Sequence, residues 1–200
     1  MRGVTTEQPT LKTPRLVLRP FVPRDLPALH RLASAKEIAA TTLRIPHPYS
    51  VEEAAIWIES HEGLFESGKG AVFAVVEAVG GVLCGCAGLG CNLANSSAEL
   101  GYWIGLPFWN RGYATEAAQS VLIFGFACFR LHRIHASHFG SNPASGRVME
   151  KIGMRYEGRR REHVYKEGRG FEDSVDYGLL AADLARHSTL FPTLKSAAHA

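Results

Sequence analysis

Apolar and polar positions along the chain alternate between two periods, and each stretch predicts an element. Leu16-Val17-Leu18-Arg19-Pro20-Phe21 reads as a first strand, stopped by Pro20 and Pro23. Arg24-Asp25 then open a helix with Leu26, Leu29 and Leu32 at helical spacing. Ile38 to Tyr49 reads as irregular, broken by Pro46 and Pro48. Ser50 is a good N-cap, and Glu53 three residues on completes a capping box. The helix behind it turns Ala54, Ile58 and Leu64 inward and is expected to end at Gly68.

Three extended runs follow: Ala71 to Glu77, the Gly-rich Val82 to Leu93 after a Gly80-Gly81 turn, and Ala98 to Ile104, which alternates and is rich in aromatics. From about Gly112 to Phe129, Ala114, Ala117, Ala118, Val121, Leu122 and Phe129 recur at intervals of 3 and 4, a one-sided stripe that predicts a long helix. Arg133 to Ser137 is a short strand, and Asn142 to Ile152 a second late helix closed by Gly153. Met154 to Val164 and Phe171 to Leu180 read as two strands around Lys166 to Gly170. The order is a strand, two helices, three strands, helix, strand, helix and a terminal hairpin. The fold class is therefore α/β, of the mixed α+β kind, with residues 11–185 as one domain. Residues 1–10 are expected to be a loose N-terminus and 186–200 a frayed C-terminal tail.

Composition changes little in this picture. The chain of 200 residues is 46% hydrophobic and 20% charged, as in globular proteins. A net charge of +3 is far from the dense basic footprint of a nucleic-acid binder, so no direct nucleic-acid contact is expected. No window reaches the ~18 apolar residues of a membrane span, and the start lacks a secretory apolar region, so the cytoplasm is the expected location and no membrane partner is foreseen. Cys84, Cys86, Cys91 and Cys128 lack metal spacing and read as small apolar residues; no metal is expected.

The step from the Ala98–Ile104 run into the long helix carries the chemistry. A helix start offers unpaired N–H groups and about half a positive charge, and anions bind there. Close approach of a phosphate requires few Cβ atoms. In Trp109-Asn110-Arg111-Gly112-Tyr113-Ala114-Thr115-Glu116, Gly112 sits at the entry, Ala114 just inside it, and Arg111 adds a cation. A Walker A loop would need Lys-Ser/Thr after its last glycine, and a Rossmann turn needs three glycines, so neither nucleotide motif fits.

These residues, with Glu99 to Ile104 before them, resemble the central motif of the GNAT superfamily of N-acetyltransferases. That motif runs Gln or Arg, two variable residues, Gly, one variable residue, then Gly or Ala. Trp109 takes the place of Gln or Arg, as is common in the branch of the RimJ/RimL-type ribosomal-protein acetyltransferases. Asn142 to Met154 is similar to the family's Asn-x-x-Ser…Gly-Phe segment, with Met154 for Phe. Thr13 to Arg19 resembles the branch's opening, and Gly168 to Leu180, through Asp173 and Tyr177, its closing strand. The matches span roughly residues 11–182.

The resemblance implies a GNAT fold, a mixed central sheet splayed at its middle and flanked by helices. It implies acetyl-CoA as co-substrate and direct acetyl transfer to a primary amine, either a protein N-terminal amine or a small amine such as an amino acid, polyamine or antibiotic. A non-catalytic acyl-CoA-binding protein is the alternative from another class. The cofactor residues it implies are Trp103, Ile104 and Leu106 along pantetheine, Trp109, Asn110, Arg111, Gly112, Tyr113, Ala114 and Thr115 at the pyrophosphate, and Asn142 and Ser145 near the sulfur. The catalytic candidates are Glu99 as general base and Ser145 as the acid for the departing thiolate; His135 and His138 are weaker candidates for the base. Asp173 and Tyr177 are expected to brace the last strand, and Arg159-Arg160-Arg161 to form a solvated strand edge. A homodimer is an open expectation.

Overall fold

A computed structural model of the chain describes residues 7–61 and 63–184. The expected tail at 186–200 and the first six residues of the expected loose N-terminus lie outside the described residues. Eight strands make one sheet: β1 (Leu11–Lys12), β2 (Leu16–Arg19), β3 (Gly70–Glu77), β4 (Leu83–Asn92), β5 (Ser97–Ile104), β6 (Arg133–Phe139), β7 (Arg155–Lys166) and β8 (Gly170–Leu180). The helices are α1 (Leu26–Ala33), α2 (Lys36–Thr41), α3 (Val51–Glu59), α4 (Tyr113–Cys128), α5 (Pro143–Lys151) and α6 (Ala181–Leu184). Across the sheet the order is β1-β2-β3-β4-β5-β6-β8-β7. Every pairing is antiparallel except β5 with β6, whose parallel run requires the crossover that α4 supplies.

The sheet is covered on both faces. Ala117, Ala118, Val121 and Leu122 of α4 pack with Phe73, Val75, Ala87, Leu89 and Leu100 on one side. Leu29, Leu32 and Ala33 of α1 and Ala54 of α3 pack with Ala74, Val76 and Leu83 on the other. Both alternating faces of β3 are thus buried, which is why its sequence is an unbroken apolar run rather than an alternation.

α2 and the end of α3 differ from the sequence expectation, which also did not foresee the short β1 and α6. The stretch read as irregular contains α2, with Ile38 and Ala39 buried. Its residues are good helix formers, but six positions are too few for a period to show. The helix after Ser50 stops at Glu59, well before Gly68. Gly63, at φ 70°, holds the left-handed conformation that a helix does not continue through, and turns carry Leu64 and Phe65 to β3. The capping box at its start forms as read: Ser50 Oγ accepts from Glu53 N–H at 3.1 Å and Glu53 Oε2 accepts from Ser50 N–H at 2.9 Å.

The segment before β2 is fastened to the first turn of α4. Glu116 accepts from Thr13 Oγ1 at 2.6 Å, from Arg15 N–H at 2.9 Å and from Arg15 Nε at 2.7 Å. Burial alone would raise the Glu116 pKa, but the Thr13 and Arg15 hydrogen bonds outweigh it and hold the carboxyl below its ordinary 4.5. A depressed carboxylate stabilises the fold above its unfolded pKa and loses that contribution as pH falls through its folded value. Glu116→Ala is therefore expected to lower stability by about 2 kcal/mol at pH 7, roughly 5 °C in thermal midpoint. The gap to wild type should narrow as pH drops below 4.5; an undiminished gap there would show that the carboxylate charge is not what matters.

Candidate active site

The site begins where the sheet comes apart. β5 and β6 pair only through Ser97 with Arg133, Ala98 with Ile134 and Glu99 with His135. Beyond Glu99, β5 continues along β4 as far as Ile104 beside Gly85, while β6 continues along β8 to Phe139 beside Ser174. The facing edges of the two strands separate there, and a cavity of about 1110 Å³ opens between the two halves of the molecule. Glu99, the last paired residue, is exposed and lines it. An unpaired strand edge is a place where an extended ligand can bond the backbone.

The start of α4 forms a second wall. Gly112 is its N-cap, at φ 77° and ψ 8°, and no side chain caps the helix. The first-turn N–H groups of an α-helix lack intrahelical partners, and here no capping side chain occupies them. Gly112, Tyr113, Ala114 and Thr115 all line the cavity, as do Trp109 and Asn110. Asn110 holds φ 60°, a left-handed conformation that asparagine tolerates, and so helps turn the chain into the helix.

The guanidinium at this turn is not the expected one. Arg111 turns away to Glu77 at 3.5 Å and lies over the Phe108 ring, while Tyr113 Oη donates to the same Glu77 at 2.8 Å. Instead Arg15 approaches Gly112: its Nη2 stands 3.4 Å from where a Cβ would be. Arg15 is fixed there by Glu116 and by the Arg111 carbonyl, to which it donates at 2.8 Å. Leu106 and Arg111 do not line the cavity, whereas Trp103 and Ile104 do. Trp109 Nε1 donates to the Ile104 carbonyl and ties the turn to the end of β5.

Helix α5 brings the third group. Asn142 stands at its N-cap but makes no capping bond with its side chain, and Asn142 and Ser145 line the cavity together. Tyr102 Oη donates to the Ser145 carbonyl at 3.0 Å, and Ser145 Oγ lies 2.9 Å from the same phenol oxygen. Burial pushes the Tyr102 phenol far above its usual range, with the Ser145 bond opposing, so it keeps its proton at all ordinary pH. Sequence reading missed Tyr102. The available signal was its place between Leu100 and Ile104 in an alternating strand, which turns it toward the buried face.

The histidines divide. His135 is outside the cavity lining; His138 is in it. His138 Nδ1–H donates to its neighbour's carbonyl, Phe139 O, at 2.7 Å, and Nε2 lies 2.7 Å from where a Cβ on Gly146 would be, so the ring rests directly on α5. His61 also lines the cavity, edge-on to Trp57 with ring centroids 4.3 Å apart. Burial pushes its imidazole down to about 4, so it is neutral near pH 7, and Nδ1 has no hydrogen-bond partner among the described residues. Burial raises the thiols of Cys84 and Cys86 to about 12 and of Cys91 to about 11, keeping them protonated and unreactive.

The basic run is a strand edge. Arg159 pairs with Asp173 and Arg160 with Asp176 across β7 and β8, and Asp173 also accepts from Glu162 N–H at 2.7 Å where the strand bulges. Tyr177 Oη donates to Glu150 of α5 at 3.2 Å, bracing the last strand as expected. Among the described residues no group of His, Cys, Asp or Glu could hold a metal ion, and no helix is long and apolar enough to cross a membrane.

A mixed sheet that opens beside a parallel pair, with an uncapped helix start facing the opening, is the arrangement that the resemblance to the acyl-CoA-dependent N-acetyltransferases implied. The chain belongs to the GNAT acetyltransferase family: residues 15–155 match the family described as "Acetyltransferase (GNAT) domain". It is 30% identical over 171 residues to "Uncharacterized N-acetyltransferase YnaD" of Bacillus subtilis, covering 85% of this chain and 96% of the relative. Among solved structures it is similar to a GNAT acetyltransferase from Bacillus anthracis, at 30% identity and TM-score 0.76 over 86% of this chain and 98% of that one. It shares the fold of Mycobacterium smegmatis RimJ, solved in complex with CoA-disulfide, at 23% identity and TM-score 0.78 over 91% and 89% of the two chains.

Proposed function

We propose that this acetyltransferase takes acetyl-CoA in the opening between β5 and β6 and acetylates a protein N-terminal amine. The observation that carries the reading is convergence. Glu99, the uncapped start of α4 and Ser145 come from three separate elements and line one cavity. The residues suit a diphosphate, because Gly112 leaves the first-turn amides of α4 open to the cavity. The edge of β5 from Leu100 to Ile104 offers backbone groups to the extended pantetheine arm. Acetyl-CoA, when bound, supplies an activated acetyl thioester.

The chain's own residues then handle protons. Glu99 accepts a proton from the incoming ammonium, so that a neutral amine can attack. The Ser145 hydroxyl gives its proton to the departing sulfur and is reprotonated by the second proton that the acylated nitrogen sheds, while Tyr102 Oη, which retains its own proton, orients that hydroxyl. Ser145→Ala is expected to lower turnover about 100-fold with acetyl-CoA affinity nearly unchanged, and Tyr102→Phe about tenfold. The double variant should cost no more than Ser145→Ala alone, because the tyrosine acts through the serine. Additive losses in steady-state kinetics would place Tyr102 in a separate role.

The protein N-terminal acceptor is supported by the resemblance of the Thr13–Arg19, Trp109–Glu116 and Asn142–Met154 motifs to the RimJ/RimL branch. The test is a panel of N-terminal peptides, amino acids, polyamines and aminoglycosides with acetyl-CoA, read by thiol release. Turnover of peptides above the small amines supports it; small-amine turnover with silent peptides replaces it with the small-amine reading.

A further inference from the structure

Under the proposed function the start of α4 and the edge of β5 take acetyl-CoA, which leaves for the acceptor the wall made by the end of α2 and the segment after it. Thr41, Thr42, Leu43, Arg44 and Ile45 line the cavity. Segments of this kind, after a short helix and before two prolines, have few backbone partners of their own. Here the partners come from 121 to 129 residues away in sequence. Lys166, the last residue of β7, is only 6% exposed and donates through Nζ to the Ile45 carbonyl at 2.7 Å and the Leu43 carbonyl at 3.3 Å. No carboxylate is in ion-pair contact with it among the described residues; Glu167 attracts its charge from a distance and Arg169 opposes that. Three residues on, at the end of the hairpin turn, Arg169 donates to the Ala40 carbonyl of α2 at 2.7 Å and to Ser141 Oγ at 3.2 Å, and pairs with Glu172 at 2.8 Å. Ser141 lines the cavity directly before Asn142 and α5.

A buried lysine held only by carbonyls is a poor choice for stability, since removing the ammonium from water costs more than carbonyl dipoles return. A methionine of similar length would fill the space without that cost. What a lysine adds is direction: one ammonium bonding two carbonyls two residues apart fixes the intervening backbone at Arg44. The arginine fixes the end of α2 in the same way, meeting a last-turn carbonyl that would otherwise lack a partner.

We infer that Lys166 and Arg169 are positioning residues for the amine acceptor: the tip of the β7–β8 hairpin straps the 40–45 wall in place and, through Ser141, sets it relative to the helix that carries Ser145. The inference rests on the acetyltransferase reading for its effect on turnover, but the strap itself can be measured without activity. The acceptor meets a wall whose shape is held by the hairpin, so loosening the strap weakens acceptor binding and spares the acetyl-CoA half of the cavity.

The experiment compares wild type, Lys166→Met and Arg169→Gln on the full chain by hydrogen-exchange mass spectrometry and by kinetics with the best acceptor from the panel. The expected result is exchange about tenfold faster in residues 40–45 with β3 to β5 and α4 unchanged. The acceptor KM should rise about tenfold, as for loss of one buried hydrogen bond, with kcat and acetyl-CoA affinity changed less than twofold. Unchanged exchange at 40–45 together with an unchanged acceptor KM would overturn the inference. So would a KM increase accompanied by an equal loss of acetyl-CoA affinity, which would mark a general structural effect. If Lys166→Met exchanges globally, Arg169→Gln, whose side chain is partly exposed, decides the same comparison. If wild type acetylates no amine, the functional reading fails while the exchange data still decide the strap.

Discussion

Replacing Gly112 with glutamate is expected to lower acetyl-CoA affinity about 100-fold, equivalent to ~2.7 kcal/mol at 25 °C. Two effects add. The backbone at Gly112 holds φ 77°, a region that a residue with Cβ enters at a cost of about 1 kcal/mol. The new carboxylate would also stand where the diphosphate is held, among the open amides of α4. Gly112→Ala separates the two, since it carries the conformational strain without the charge, and should lose less than tenfold. A sign argument sharpens the comparison. A carboxylate at a helix start is favourable for the folded chain, because it meets the positive end of the helix dipole. Glutamate should therefore be no less stable than alanine at this position in a thermal melt, yet bind far worse in calorimetry. Equal affinity for the two variants would mean that no phosphate lies against this turn.

Glu99→Gln is the second large expected effect: turnover about 100- to 1000-fold lower, with acetyl-CoA affinity unchanged. Glutamine keeps the size and the hydrogen-bonding atoms but cannot accept a proton from an ammonium. The position argues for the role. Glu99 is the last residue before β5 leaves β6, and it lines the cavity on the strand whose next residues border the opening. His138, the other candidate on this wall, has its ring against α5 at Gly146. Rapid-quench or steady-state turnover with a confirmed acceptor reads the result. Undiminished turnover in Glu99→Gln would move the base elsewhere and leave Glu99 as a wall residue.

Local signals carried much of this. The Ser50–Glu53 capping box and the apolar stripe of α4 are each written within a short stretch of sequence, and each forms as read. The opening of the sheet followed from the family resemblance, and the short pairing at Glu99 gives it geometry. What sequence did not disclose depends on partners far along the chain. Arg111 sits in the motif yet faces Glu77, while the cation behind Gly112 comes from Arg15, tied to Glu116 from 101 residues away. The hydroxyl partner of Ser145 lies on β5, and nothing in the spacing of Tyr102 and Ser145 announces a 2.9 Å contact. α2 was invisible because one and a half turns give no period. Its tether to Lys166 was invisible because a lysine near a hairpin turn ordinarily points to water.

The central claim is that one cavity joins acetyl-CoA to an amine through Glu99 and Ser145. The most direct test incubates the full chain with acetyl-CoA and the acceptor panel, and follows free thiol and acetylated amine together. The account predicts one thiol released per amine acetylated, release only when an amine is present, and both signals reduced alike in Glu99→Gln. Tight acetyl-CoA binding with no amine acetylated by any acceptor class would contradict it.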